Sequence, residues 1–235
     1  LGSLLVSLIF AFFVLKIGTG EFITGIAINS FASGATTYFL RQMFNVKGSL
    51  INPRIVAIPK WSIPVIKDIP VLGRILSGHA FPLYITFLVI VPLVFFVIYK
   101  TAFGLRLRAC GYDAKVIDSV GIKASKLKFI SILICGTLCG IGGSFLSLGI
   151  MRMFTEGMSN GRGWISLAII ILSDGNPLIA FLTCIIFGIT EGMGLSLQQF
   201  NIPNQITDML PYVAVLVALY INSVRHKKQA AQSAK

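Results

Sequence analysis

Acidic side chains are scarce in this chain. Asp and Glu together number 8 in 235 residues, against 20 Lys and Arg, and charged residues of both signs make up 12%. A soluble domain carries about 25% charge. Half that share describes a chain solvated mainly by lipid, in line with 55% hydrophobic residues and a mean hydropathy of +0.86. The shortage also removes most catalytic options. A paired-carboxylate intramembrane protease needs two acids deep in facing spans, and Glu191 is the only candidate. Histidine is confined to His79 and His226. No H-E-x-x-H, G-x-S-x-G or G-x-x-x-x-G-K-[ST] occurs, which excludes a zinc-protease helix, a nucleophile elbow and a P-loop for ATP. The four cysteines, Cys110, Cys135, Cys139 and Cys184, lack C-x-x-C spacing. Cys135 and Cys139 share a helix face, but no histidine lies near to complete a metal site, and all four read as small apolar residues of spans. Neither enzyme activity nor a bound cofactor or metal is expected of this chain.

The formal charge of +12 does not point to nucleic acid. The basic residues cluster between apolar runs, where they set membrane orientation. Those runs cover residues 1–15, 21–40, 80–99, 129–150, 164–172, 178–197 and 206–221. As a helix, the run 80–99 is roughly 30 Å long, one hydrocarbon thickness. The expected fold is all-α, a polytopic transmembrane helical bundle of about six to seven spans, with a broken or short helix near 164–177. The chain opens at Leu1 directly in apolar sequence, and we expect further spans to precede it.

Pro53, Pro59, Pro64 and Pro70 rule out a continuous helix in the segment 41–79. Placing the loop 100–128 in the cytoplasm gathers Lys100, Arg106, Arg108, Lys115, Lys123, Lys126 and Lys128 inside. The tail 225–235 then also lies inside, provided that the broken pair counts as two crossings. The segment 41–79 faces outward despite its own lysines and arginines, because longer loops obey the charge rule less strictly.

The run 164–172 covers about 14 Å, half a hydrocarbon core, and breaks at Ser173-Asp-Gly-Asn-Pro177. Such a break exposes backbone groups that lipid cannot satisfy, so it is tolerated inside protein or beside a water-filled path. A helix starting earlier, near Met158, would remove the anomaly, and the sequence leaves both readings open. Polar residues in spans are costly and mark function. Asn29 and Glu191 are the main ones, with Glu21 at a span edge, and Glu191 has no evident cationic partner within the spans. Gly136 with Gly140, and Gly188 with Gly192, make small-residue faces for close helix approach, and Ser144 and Ser147 extend the first.

The stretch 104–126 carries the densest pattern. Asp113 can cap a short helix over 114–120, and Gly121 is placed to end it. On a helical wheel Ala114, Val116, Ile117 and Val120 share one side, with Lys115, Asp118 and Ser119 opposite. Such a helix suits either a groove on another protein or a bed of anionic headgroups.

An ordered series of motifs then becomes recognisable. It comprises Glu21-Phe-Ile-Thr-Gly-Ile-Ala-Ile-Asn29, Thr101-Ala-Phe-Gly-Leu-Arg-Leu-Arg-Ala-Cys-Gly111, Gly121-Ile122 and Gly161-Arg-Gly-Trp-Ile-Ser-Leu-Ala168. Asn176-Pro177, Phe187-Gly188 and Leu210-Pro-Tyr212 complete it. The chain resembles the membrane permease subunit of bacterial ABC importers in the branched-chain amino acid, ribose and nucleoside group, most of all the simple sugar and nucleoside permeases. The resemblance implies a multi-pass permease domain over 1–224 in the bacterial cytoplasmic membrane, with 41–79 outside, 100–128 as a cytoplasmic coupling loop and 225–235 as a basic cytoplasmic tail. It implies as partners two cytoplasmic ABC ATPase subunits, a second permease subunit, an extracytoplasmic substrate-binding lipoprotein and membrane lipid. ATP and Mg would bind the ATPases, and none of the partners is a nucleic acid.

By that likeness 108–121 is the coupling segment, with Arg108, Gly111, Tyr112, Asp113, Ala114, Lys115, Ile117, Asp118 and Gly121 as the contact residues. For the translocation path the candidates are Asn29, Gly140, Gly143, Gly163, Asn176 and Glu191. The chain departs from the family where Gly111-Tyr-Asp-Ala114 replaces Gly-Glu-Asn-Pro and Val116 and Ile117 replace alanines, which calls for a different partner cleft. Ser173-Asp-Gly175 likewise replaces a glycine, a basic residue and an aromatic. Nucleoside or simple sugar is the expected solute; a branched-chain amino acid permease and an ion-coupled carrier or channel are the alternatives.

Overall fold

The computed structural model of the protein describes residues 1–46, 48–51, 60–61, 79–80, 84–198, 209–210, 212–217 and 219–220. They belong to two compact units, Leu1–Ser159 and Asn160–Lys235. In the first, α1 (Gly2–Ala11) continues through a wide π-helical turn, Phe12–Ile17, before α2 (Glu21–Phe44). A second π-helical turn, Thr86–Ile90, leads into α3 (Val91–Lys100), followed by α4 (Ala102–Tyr112) and α5 (Ala114–Ser119). Helix α6 (Ala124–Phe145) is prolonged by a third such turn, Leu146–Met151. Two antiparallel ladders join β1 (Ser49–Leu50) to β4 (Phe154–Thr155), and β2 (Lys60–Trp61) to β3 (His79–Ala80). The second unit holds α7 (Arg162–Leu172), α8 (Pro177–Leu197) and helical residues within 209–220.

By composition and helix length the chain is an all-α membrane protein. Among the described residues, Ala124–Gly149 and Pro177–Gly194 are apolar and long enough to cross a bilayer, with mean hydropathies of 2.0 and 1.6. A third crossing appears if Leu88–Lys100 and Ala102–Tyr112, bent by 73°, count as one. The run 80–99 is thus not one straight helix: β3 takes its first residue, 81–83 lie outside the described residues, and the helix starts at Tyr84. Helix α2 has the length of a span at 24 residues, but Asn29, Ser30, Ser33, Thr36 and Thr37 dilute its apolar character. Gly2–Ile17 and Arg162–Leu172 are apolar and shorter. Most of the proline-rich segment, the start of the run 206–221 and the basic tail with His226 lie outside the described residues.

Small residues set the closest packing in the first unit. A side chain on Gly136 would collide with Ser7, and one on Gly140 with Ser3, so α1 and α6 lie antiparallel with almost nothing between them. The small face expected at Gly136 and Gly140 is therefore a helix contact. The same register brings Glu21 to Lys128, Oε1 to Nζ at 3.8 Å. The start of α2 and the start of α6 consequently share one end of this unit.

The half-length helix is real. Asn160 (φ 42°) and Gly161 (φ 75°) both adopt the left-handed conformation, so no right-handed helix runs through them from Met158. Helix α7 begins at Arg162 and covers roughly 16 Å before the break. There Asn176 Oδ1 accepts from Leu178 N at 3.0 Å and starts α8 at Pro177.

Candidate functional site

The best-defined site is the corner where α3, α4, α5 and the start of α6 meet. Its first turn is made by Thr101, whose backbone is extended (φ −112°, ψ 155°). The Thr101 hydroxyl donates to the Val97 carbonyl at 2.6 Å and accepts from Gly104 N at 3.2 Å, ending one helix and capping the next. Gly104 is buried, and any side chain there would strike the carbonyls of Val97 and Ile98. The bend needs a glycine at this position. Arg108, one turn further on, lays its guanidinium over the Tyr99 ring at 4.8 Å.

Helix α5 is only 6 residues long, too short to hold itself in water. Capping and burial supply what propagation cannot. Asp113 Oδ1 accepts from Lys115 N at 2.9 Å. At the other end Gly121 sits at φ 81°. Gly121 N donates to Asp118 O at 3.0 Å and Ile122 N to Ile117 O at 3.2 Å, the paired bonds of a Schellman motif. Ile122 also packs against the cluster that contains Ile117, the apolar contact that accompanies this motif. The expected caps at both ends are present.

The floor of the corner is Cys110, Ile117, Ala124 and Leu127, with Phe103, Ala109 and Ala114 around it. Asp118 ties the floor together: its Oδ1 accepts from Ala124 N at 2.9 Å. Lys123, the residue before α6, makes no such side-chain bond, so α5 provides the cap of α6. A carboxylate at a helix N-terminus is also favoured by the helix dipole.

The expected single apolar face is therefore split. Ile117, 7% exposed, and Ala114 turn to the floor. Val116 and Val120 turn outward, at 55% and 71% exposure, and Tyr112 is 94% exposed. A residue at Tyr112's position often folds back onto the helix as a hydrophobic staple against the position of Ile117; here it does not. A two-turn helix resting on one neighbour can bury only one stripe, and the other stripe is left as a ridge. Of the candidate contact residues, Asp113, Ala114, Ile117, Asp118 and Gly121 shape the corner, and all nine but Ala114 and Ile117 are exposed. The outward role of Val116 and Val120, and the bend at Thr101 and Gly104, were missed. The Thr101 cap followed by good helix formers was the available signal for α4.

The path candidates separate between the two units. In the first, Asn29 is exposed midway along α2, Gly140 is filled by Ser3, and Gly143 faces open space. Gly140 thus packs closely against Ser3 of α1. In the second unit Asn176 caps α8, and Gly163 lies open in the first turn of α7. Glu191, expected to lack a cation, is paired: its Oε1 accepts from Arg162 Nη2, with both side chains about 40% exposed. The partner is 29 residues away in sequence, which is why it escaped the reading. Next to Arg162 in the chain, the Asn160 carbonyl accepts from the Tyr212 hydroxyl at 3.5 Å, and that hydroxyl lies where a Gly161 side chain would go. Two of the motifs that carry the resemblance meet there.

Residues 1–219 match the family described as the permease component of branched-chain amino acid transport systems. The chain is 31% identical over 219 residues to the guanosine ABC transporter permease protein NupQ of Bacillus subtilis, covering 92% of this chain and 68% of that one. It is 32% identical over 203 residues to the nucleoside ABC transporter permease protein NupC of Lactococcus lactis, with 84% and 62% covered. A putative glucose ABC transporter permease protein of Haloferax volcanii is 24% identical, with 82% and 57% covered. The chain thus spans 57% to 68% of the length of these relatives. No solved structure matches it. A lipid-solvated helical chain that matches along all but its tail belongs to the family of branched-chain amino acid transport-system permease components.

Proposed function

We propose that the chain is the membrane-spanning permease subunit of an ATP-binding cassette importer that moves nucleosides or related simple sugars across a bacterial cytoplasmic membrane. The solutes in the relatives' names, guanosine, nucleosides and glucose, support this class. The mechanistic part rests on one observation: an exposed apolar ridge, Tyr112, Val116 and Val120, stands on a capped helix that itself caps α6. In this reading the ridge and Lys115 enter a cleft of a cytoplasmic ATPase subunit, and closure of two such subunits on ATP moves α5 and α6 together. ATP and Mg belong to those partners. A second permease subunit and an extracytoplasmic binding lipoprotein complete the assembly.

The same reading gives about six to seven crossings: α1 with its π-helical turn, α2, α3, α6, the α7–α8 pair and the run 206–221. Residues 1–224 form the permease domain, 41–79 lies outside, 100–128 is cytoplasmic and the basic tail 225–235 follows the charge rule inside. Asn29, Gly140, Gly143, Gly163, Asn176 and Glu191 are the candidates for the solute path. The family's description favours branched-chain amino acids as the runner-up solute, and the Arg162–Glu191 pair is what an ion-coupled carrier would display.

The test is uptake by proteoliposomes containing the full-length chain and its co-purifying subunits, offered guanosine, glucose and leucine. ATP-dependent accumulation of guanosine or glucose is expected, together with loss of coupling in Asp113→Pro and Gly121→Val. Uptake of leucine alone would select the runner-up. Uptake that survives removal of the ATPase and follows an ion gradient would overturn the proposal.

A further inference from the structure

A cleft of about 710 Å³ opens between the last turns of the α1 segment and the first turns of α6. Its walls are Leu8, Phe12, Leu15, Phe129 and Ile130, all apolar. Lys16, Ser125 and Lys126 line its end. The antiparallel register of the two helices places both lysines at the same end of the apolar run Ala124–Gly149, where hydrocarbon gives way to headgroups. Both lysines are exposed, and neither takes part in an ion pair among the described residues. The Lys16 ammonium lies over the ring of Phe12, a wall of the cleft, with Nζ 5.3 Å from the ring centroid. The acidic neighbour Glu21 faces Lys128 instead and does not line the cleft.

We infer that this cleft is a binding site for an anionic phospholipid, with an acyl chain along the apolar walls and the phosphate between Lys16 and Lys126. The lining has the two-part chemistry of a lipid, apolar along the helix axis and cationic at the interface. A volume typical of small-ligand pockets leaves room for one chain. Basic pockets between spans recognise anionic headgroups, and each lysine near the surface adds attraction. A helix of a partner subunit would fill the apolar walls but leave two cations without counter-charge at the rim. The site rests on the membrane placement of the chain and is independent of which solute is moved.

Native mass spectrometry of the full-length chain with its co-purifying subunits tests this, after release from mixed micelles of phosphatidylglycerol and phosphatidylcholine. The wild type should retain phosphatidylglycerol over phosphatidylcholine by roughly tenfold. K16Q/K126Q should lose that preference, whereas K100Q/K123Q, at basic positions outside the cleft, should keep it. Added glycerol phosphate should not displace the lipid. Equal retention of the two lipids, equal losses in both double variants, or displacement by glycerol phosphate would each overturn the site. So would a photo-crosslinker at Leu8 that captures a protein subunit instead of lipid.

Discussion

The α5 corner and the α7–α8 hairpin both contain a helix that stops short of a full span, yet different restraints hold them. At the corner the restraints are local. Asp113, Gly121 and Ile122 act within a few residues of α5, and Ile117 closes on a floor drawn from α4 and α6. At the hairpin the start of α7 is held by partners from far along the chain, Glu191 and Tyr212. Each charge of the ion pair is costly alone: a guanidinium opposes the dipole at a helix N-terminus, and a carboxylate in an apolar span is expensive. Paired, the two costs offset one another. One short helix is built from caps and burial, the other from mutual charge.

Six substitutions separate those two constructions. The largest effect belongs to Gly104→Val, which drives a branched side chain into the carbonyls of Val97 and Ile98. We expect a loss of about 3 kcal/mol or more, read as a lower melting temperature in lipid micelles. An unchanged melt would show that the bend at Thr101 is not rigid. Ile117→Ala should follow at about 2–4 kcal/mol, whereas Val116→Ala on the ridge should stay within about 0.5 kcal/mol. Equal effects at the two positions would erase the distinction between floor and ridge.

Glu191→Gln should cost about 1 kcal/mol, discounted because both side chains are partly exposed. Adding Arg162→Gln should cost less than the sum of the singles, and a double-mutant cycle with no coupling energy would break the charge account of the hairpin. Tyr112→Ala should leave stability within about 0.5 kcal/mol and still lower ATP-coupled uptake severalfold. Full uptake in that variant would remove the ridge from coupling.

Legibility in the sequence followed the same division. Helix starts and stops written within a few residues were readable: Asp113 and Gly121 bracket α5, and Asn176-Pro177 opens α8. The close approach at Gly136 and Gly140 was readable as a tendency, although only the fold supplies Ser7 and Ser3 as the residues that fill it. Two features were not readable. The wheel gave α5 one apolar side because it records angle and not the extent of the surface beneath. Arg162 stands between Gly161 and Gly163, and nothing local connects it to a carboxylate 29 residues later. Residues shared between distant elements escaped, while residues that act on their own turn did not.

Asp118 belongs to α5 by position and to α6 by hydrogen bond. A load applied to the ridge therefore has two ways to travel. One is the bond to Ala124 N, which ties the first turn of α6 directly to α5. It is worth about 1 kcal/mol as a helix cap. The other is the backbone of residues 120–123, so Asp118→Ala would leave α5 and α6 joined by that strap alone.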